Sequence, residues 1–218
     1  MKLVIALVLA YLIGSIPVGL WLGRALRGID VRDYGSGNIG ATNVFRTLGT
    51  KLGIVTLALD VFKGALPVIL LPAILGIRPS TTSDLLIGAA AIVGHVFSCF
   101  VSFRGGKGVA TALGVFLAIS TSPTIITVFL AVVVIARWGY ISAASVAGAV
   151  ILPTIMYLFG EPTMVLLVTC VMAVVVIVRH RANIMRILSN TEPHIWDRFN
   201  TAADNDPIPP VGPARGRS

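Results

Sequence analysis

One interrupted apolar run governs how many helices this chain contains. Residues 109–136 read VATALGVFLAISTSPTIITVFLAVVVIA, with Ser, Thr, Ser and Pro at positions 120–123 near the middle. Hydroxyl residues followed by proline favour a turn. The run is therefore either one kinked helix of about 28 residues or a hairpin of two short helices of about 11 and 14 residues.

The composition of the whole chain is that of an integral membrane protein. Of its 218 residues, 56% are hydrophobic and only 12% are charged, and the mean hydropathy is +0.93. Soluble domains carry about 25% charged residues. Five further apolar runs reach or approach the roughly 20 helical residues that cross a bilayer. They lie at 3–23, 53–77, 84–103, 139–159 and 163–178.

The placement of basic residues decides between one helix and two over 109–136. Lys and Arg accumulate in the short cytoplasmic loops of membrane proteins. With a hairpin, fourteen of the seventeen Lys and Arg residues fall on one side, whereas a single long helix would split them seven against nine. We therefore predict an all-α, polytopic membrane protein with seven transmembrane helices, its N-terminus outside and its C-terminus cytoplasmic.

The chain divides into two parts by composition. Residues 1–192 contain all the apolar runs and form the membrane domain, whereas 193–218 are rich in proline and polar residues and predict a flexible cytoplasmic tail. The net charge is +8, and the basic residues that produce it lie between hydrophobic segments rather than along one soluble face. This pattern disfavours nucleic acid as a partner and favours anionic lipid or an anionic substrate.

The first polar segment follows the first apolar run and reads GSGNIGATN over 35–43. Its glycines let several backbone N–H groups converge, its hydroxyl and amide side chains add neutral donors, and a short helix starting near Thr42 would direct its N-terminus at an anion. These features predict a phosphate site. The candidate ligands are Ser36, Gly37, Asn38, Gly40, Thr42, Asn43 and Arg46.

Two further segments carry basic residues that the predicted topology places on the same side. One reads FRGGKGVAT over 103–111, where Arg104, Gly105, Gly106 and Lys107 combine cations with an accessible backbone. The other reads RHRANI over 179–184. If residues 179–186 form one helix, Arg179, Asn183 and Arg186 share a face. Together, the three segments predict a phosphate receptor at the cytoplasmic interface, with no cluster of metal ligands.

These three motifs, together with Gly94 and His95, resemble those of the acyl-phosphate:glycerol-3-phosphate acyltransferases of bacterial phospholipid synthesis. Their order and spacing agree over about 190 residues. The resemblance implies a seven-helix enzyme of the bacterial inner membrane, with its active site at the cytoplasmic face. It would move a fatty acyl group from acyl-phosphate to the 1-hydroxyl of sn-glycerol 3-phosphate, giving lysophosphatidic acid and phosphate without a cofactor. The enzyme that makes acyl-phosphate is a candidate partner.

The resemblance also implies roles for individual residues. Ser36, Asn38, Thr42, Asn43 and Arg46 would contact phosphate, and Lys107 would hold it. His95, His180 and Asn183 would complete the pocket, so the catalytic candidates are His180, His95, Lys107 and Asn43. An imidazole titrates near neutral pH, so either histidine is a candidate base, and a phosphate oxygen of the substrate is a third.

Two questions stay open at the level of sequence. A cytosolic phosphate-binding cluster also suits a transporter of a phosphorylated metabolite, although transporters tend to have paired halves and a site near the bilayer midplane. Within the second apolar run, Asp60 and Lys63 stand three residues apart. A charge inside a membrane is costly unless it is paired, so these two either neutralise each other or reach the site.

Overall fold

The computed structural model describes residues 1–197, which contain ten α-helices joined by short connections. The helices are α1 Lys2–Ser15, α2 Val18–Arg27, α3 Ala41–Leu48, α4 Thr50–Leu75, α5 Thr81–Val96, α6 Val109–Ile119, α7 Thr121–Trp138, α8 Ile141–Leu158, α9 Thr163–Arg179 and α10 Arg181–Leu188. Short 3-10 turns cover Val31–Asp33 and Cys99–Val101. The all-helical prediction is confirmed for this part of the chain.

The first predicted span, 3–23, is wrong as a single straight helix. Helix α1 ends at Ser15 and α2 starts at Val18, with an angle of 41° between them. Pro17 causes the break because it has no N–H to donate and disfavours helical backbone at the residue before it. Ile16 accordingly has φ −56° and ψ 114°. The Nζ of Lys63 donates to the Ile16 carbonyl over 2.7 Å, which gives this broken segment a polar partner inside the bundle.

The predicted break in the run 109–136 is confirmed. Ser120 has φ −142° and ψ 78°, which separates α6 from α7. Its hydroxyl donates to Glu161 in the connection between α8 and α9. Helix α6 has 11 residues as predicted, but α7 has 18 rather than 14, because its helix includes Thr121 and continues through Trp138.

By length and composition, four of the described helices can each cross a membrane. The count rises to six if the bent pairs α1–α2 and α9–α10 each form one span. Helix α6, at 1.5 Å per residue, is too short to cross a bilayer upright. The predicted span 84–103 corresponds to the candidate span Thr81–Val101, in which α5 ends at Val96 and a 3-10 turn covers Cys99–Val101.

Glycines bring two pairs of helices into backbone contact. A Cβ atom added at Gly14 of α1 would lie 2.0 Å from the carbonyl oxygen of Ala91 in α5. Between α4 and α6 the same is true at Gly64, where a Cβ would lie 2.1 Å from the carbonyl oxygen of Thr111. Such close approach is typical of helices packed inside a bilayer. Contacts of α4 with α1 and with α5 join the two pairs into one packed group of four helices.

Residues 193–197, which begin the predicted tail, lie against the connection between α7 and α8. The N–H of Ile195 donates to the Gly139 carbonyl over 2.8 Å, and the His194 ring lies 4.2 Å from the Tyr140 ring, centroid to centroid. Residues 198–218 lie outside the described part of the chain. The flexible tail stays a prediction.

Candidate active site

All three polar segments line one cavity of about 140 Å³, which we call the polar cavity. Ten of the residues singled out from the sequence line it: Ser36, Asn38, Gly40, Thr42, Asn43, Arg46, His95, Lys107, His180 and Asn183. Helix α3, the glycine-rich connection before α6, and the junction of α9 and α10 supply most of them. Residues more than 140 positions apart in the sequence therefore meet at one site.

The first segment folds around the side chain of Asn43, which is 1% exposed. Its Oδ1 accepts hydrogen bonds from the N–H and the hydroxyl of Ser36, at 2.7 and 3.1 Å, and its Nδ2 donates to the Val31 carbonyl over 2.8 Å. Gly35 has φ +58°, and a Cβ there would lie 2.4 Å from Asn43 Oδ1. Asn43 thus holds the loop in shape, and its catalytic role stays a prediction.

Lys107 is the central cation of the polar cavity. Its ammonium donates to Oδ1 of Asn183, whose Nδ2 donates in turn to Glu192 over 2.7 Å. Burial lowers the pKa of Lys107 to about 8; the charge of Glu192 opposes this shift, and those of Arg186 and Arg46 add to it. Near neutral pH the side chain is charged, partly buried and surrounded by further cations, which suits an anionic ligand.

Glu192 is a buried anion that sequence analysis missed. Its side chain is fully shielded from solvent. Its carboxylate accepts hydrogen bonds from Ser142 at 2.8 Å, from Arg186 at 2.7 Å and from Arg46 at 3.3 Å, besides the one from Asn183. Burial raises its pKa, but these donors outweigh burial and lower the pKa overall. The only signal in the sequence was the number of basic residues that converge, since cations packed together need a counterion.

The two candidate bases differ in their surroundings. Nδ1 of His180 lies 2.8 Å from the carbonyl oxygen of Val176, so this nitrogen carries the proton and leaves Nε2 with a lone pair. His95 lies behind the glycine-rich connection, because a Cβ added at Gly106 would lie 2.2 Å from its Nε2. Within residues 1–197 its Nδ1 has no hydrogen-bond partner, and it lies 3.9 Å from Asp60. Of the two histidines, His180 has the geometry of an acceptor.

Five of the predicted binding residues lie outside the lining of the polar cavity: Gly37, Arg104, Gly105, Gly106 and Arg179. The assumption of one helix through 179–186 is wrong, because α9 and α10 meet at His180 with an angle of 57°. Arg179, at the end of α9, donates to the carbonyls of Gly105 and Gly106, at 3.1 and 2.8 Å. It braces the connection that carries Lys107.

Asp60 and Lys63 form the pair that their spacing allows. Their side chains lie 2.7 Å apart, and both are buried. Asp60 also lines the polar cavity, so the two alternatives open at the level of sequence are both realised. Pairing limits the cost of placing two charges inside the helical bundle.

A second cavity of about 260 Å³ lies beside the polar one, and we call it the apolar groove. Helices α6, α7, α8 and α9 line it mostly with apolar side chains, interspersed with the hydroxyl residues Thr124, Thr127, Ser145 and Thr169. The two cavities have five lining residues in common: Leu57, Val109, Leu113, Ile141 and Ser145. A cationic cavity thus adjoins an apolar groove.

The chain matches the family model of glycerol-3-phosphate acyltransferases over residues 4–190. This chain belongs to that family. A glycerol-3-phosphate acyltransferase of Trichlorobacter lovleyi is 48% identical over 183 residues, which cover 84% of this chain and 92% of the relative. One of Fusobacterium nucleatum is 45% identical over 187 residues, covering 85% and 94% of the two chains.

Crystal structures of one acyltransferase have the same fold as this chain. They are of PlsY, described as an integral membrane glycerol 3-phosphate acyltransferase. Its glycerol 3-phosphate form superposes with a TM-score of 0.83 at 35% identity, covering 92% of this chain and all of the other. Its lysophosphatidic acid form gives a TM-score of 0.79 at 36% identity, covering 89% and 95% of the two chains. The likeness thus extends over nearly the whole membrane domain.

Proposed function

We propose that this acyltransferase moves a fatty acyl group from acyl-phosphate to the 1-hydroxyl of sn-glycerol 3-phosphate. The products are lysophosphatidic acid and inorganic phosphate, and the reaction is the first acylation of phospholipid synthesis. The observation that carries the proposal is the junction of the polar cavity with the apolar groove. A molecule with a phosphate at one end and a fatty chain at the other matches both cavities at once.

The charges of the polar cavity suit two phosphorylated substrates. Lys107, Arg46 and Arg186 lie around one carboxylate, that of Glu192, so the group keeps an excess of positive charge. Ser36, Asn38 and Thr42 add neutral donors along the lining. We assign these donors and Arg46 to binding phosphate, and Lys107 to the phosphate that becomes the leaving group.

The reaction needs little more than positioning and charge neutralisation. The 1-hydroxyl oxygen of glycerol 3-phosphate bonds to the acyl carbonyl carbon, and the bond from that carbon to the phosphate oxygen breaks. Phosphate leaves with the electron pair, and cations stabilise the charge it gains. The hydroxyl proton goes to Nε2 of His180 or to a phosphate oxygen of the substrate.

We also propose the full membrane arrangement of the chain. Seven segments cross, with the N-terminus outside and the C-terminus cytoplasmic in the bacterial inner membrane. The short helix α6 counts as one of the seven, because its neighbours shield it where the bilayer would otherwise have to thin. The loops that carry the polar cavity then face the cytoplasm, where glycerol 3-phosphate and acyl-phosphate are available.

Release of inorganic phosphate by the purified protein in detergent tests the proposed reaction. Given palmitoyl-phosphate, the wild type is expected to release phosphate only when glycerol 3-phosphate is added. Lys107→Ala should lower this rate about 100-fold or more, as losing one key charge-stabilising donor does in other enzymes. Arg78→Ala, in the connection between α4 and α5, is the control and should match the wild type. Absence of release from folded protein would favour the transporter.

A further inference from the structure

Gly148 of α8 differs from the glycines that pack the helices together. At Gly14, Gly64 and Gly114, a Cβ atom would lie 1.9–2.1 Å from a backbone carbonyl oxygen of the neighbouring helix. At Gly148 the nearest atoms are side-chain carbons, of Thr127 at 3.7 Å and Ala131 at 3.9 Å. Those distances are ordinary van der Waals contacts. Helix packing therefore does not require glycine at this position.

The space beside Gly148 belongs to the apolar groove. Along α8 the groove is lined in turn by Ser145, Gly148 and Leu152. Ser145 also lines the polar cavity, so Gly148 lies three residues, about 4.5 Å along the helix axis, beyond the junction of the two cavities. Phe116 and Thr169 line the groove from the opposite helices, α6 and α9.

We propose that Gly148 sets the length of acyl chain that this enzyme accepts. Because position 148 has no side chain, the groove stays open from the junction towards Leu152, and a long chain can pass. A larger side chain at this position would project into the groove and close its far part. The inference rests on the proposed function, since it takes the acyl chain of the donor as the occupant of the groove.

The expected effect follows from burial of methylene groups. Each methylene that enters the groove gains dispersion contacts with the lining side chains, whereas one that a larger side chain at position 148 keeps out does not. In the wild type, catalytic efficiency should rise with chain length until the groove is full. With the groove closed at position 148, the gain should stop at a shorter chain, and longer chains should lose their advantage.

The test is a comparison of octanoyl-, dodecanoyl- and palmitoyl-phosphate as donors, in mixed micelles of fixed composition. We expect Gly148→Leu to lower the ratio of kcat/KM for palmitoyl- over octanoyl-phosphate at least tenfold, and Gly148→Ala to lower it less. The control is Val150→Leu, which places a leucine on the same helix at a position that is 55% exposed and outside the groove. It should keep the wild-type ratio.

Two further measurements separate the possible failures. If Gly148→Leu does not fold, the graded change from Gly148→Ala to Gly148→Val decides the question. If the wild type turns over no acyl-phosphate, the proposed function fails. The rise in melting temperature on adding dodecyl or hexadecyl phosphate then measures whether an alkyl chain of each length binds in the groove. An unchanged ratio, or unchanged stabilisation by the two alkyl phosphates, in the folded variants would overturn the role of Gly148.

Discussion

The surroundings of Lys107 change the pKa of its side chain. Burial and neighbouring arginines bring its pKa down to about 8, whereas a solvated lysine titrates near 10.4. A lowered pKa means that the ammonium loses its proton at a milder pH than usual. A bound phosphate favours the charged form and opposes that loss.

The KM for palmitoyl-phosphate, whose phosphate we assign to Lys107, is therefore expected to depend on pH. It should be nearly constant between about pH 6.5 and 7.5, where Lys107 is charged, and rise above pH 8 as the free enzyme loses this proton. In Lys107→Arg the guanidinium stays protonated, so the alkaline rise should disappear even though turnover is lower. A KM that rises equally in both forms would contradict the role assigned to Lys107.

Replacing Glu192 tests whether its charge holds the site together. Glu192→Gln places an amide donor where four side-chain groups donate, and it removes the buried negative charge that Arg46 and Arg186 contact. Breaking a buried ion pair costs about 3–5 kcal/mol. We expect a clear fall in the melting temperature in detergent together with loss of turnover, whereas Asp33→Asn at an exposed site should change neither.

Alanine substitutions of the two histidines should have different effects, on kcat at His180 and on stability at His95. His180→Ala removes the imidazole that holds a lone pair in the polar cavity, and kcat should fall if Nε2 takes the hydroxyl proton. A near-normal kcat would assign that proton to the substrate phosphate instead. Single-turnover measurements distinguish this from slower product release.

His95→Ala should reduce stability, because His95 packs against the connection that carries Lys107.

At the scale of elements, glycine contacts make a matched pair of predictions. Gly64→Ala forces a Cβ to within 2.1 Å of a backbone oxygen, and overpacking of this kind costs about 1–3 kcal/mol. Gly148→Ala makes the same change in a helix where the space exists. The first should lower the melting temperature by several degrees and the second should not. Equal melting temperatures would contradict the close packing of α4 on α6.

The elements also show what a sequence pattern can and cannot predict. The turn at 120–123 was predictable, because hydroxyl residues and proline act locally on the backbone. The breaks at Pro17 and His180 were missed, since hydropathy continues across both and only the backbone directions change. The position of α3 was anticipated from Thr42, one residue from its observed start at Ala41.

At the scale of the whole molecule, the meeting of the three polar segments at one site was partly predictable. Sequence analysis placed the three polar segments on one side of the bilayer by charge alone, and the structure brings all three to one cavity. Glu192 could not be found in this way, because a single carboxylate acquires its role only from the four groups that surround it. The apolar groove was likewise out of reach, since it is a space between four helices rather than a motif.

Membrane orientation is testable by labelling single cysteines in intact cells. With Cys99 and Cys170 replaced by serine, Arg78→Cys lies in the connection between α4 and α5 and should react with an impermeant maleimide from outside. Arg181→Cys, an exposed residue near the polar cavity, should react only after the membrane is opened. The reverse pattern would place the site on the outer face.

The most direct test of the whole account is the stoichiometry of product formation with two alternative donors. Purified protein in detergent should convert palmitoyl-phosphate and glycerol 3-phosphate into equal amounts of 1-palmitoyl-glycerol 3-phosphate and inorganic phosphate. Palmitoyl-CoA should give no product, because the proposed donor carries phosphate directly on its acyl group. Product from palmitoyl-CoA at a comparable rate, or phosphate release without acylated product, would contradict the account.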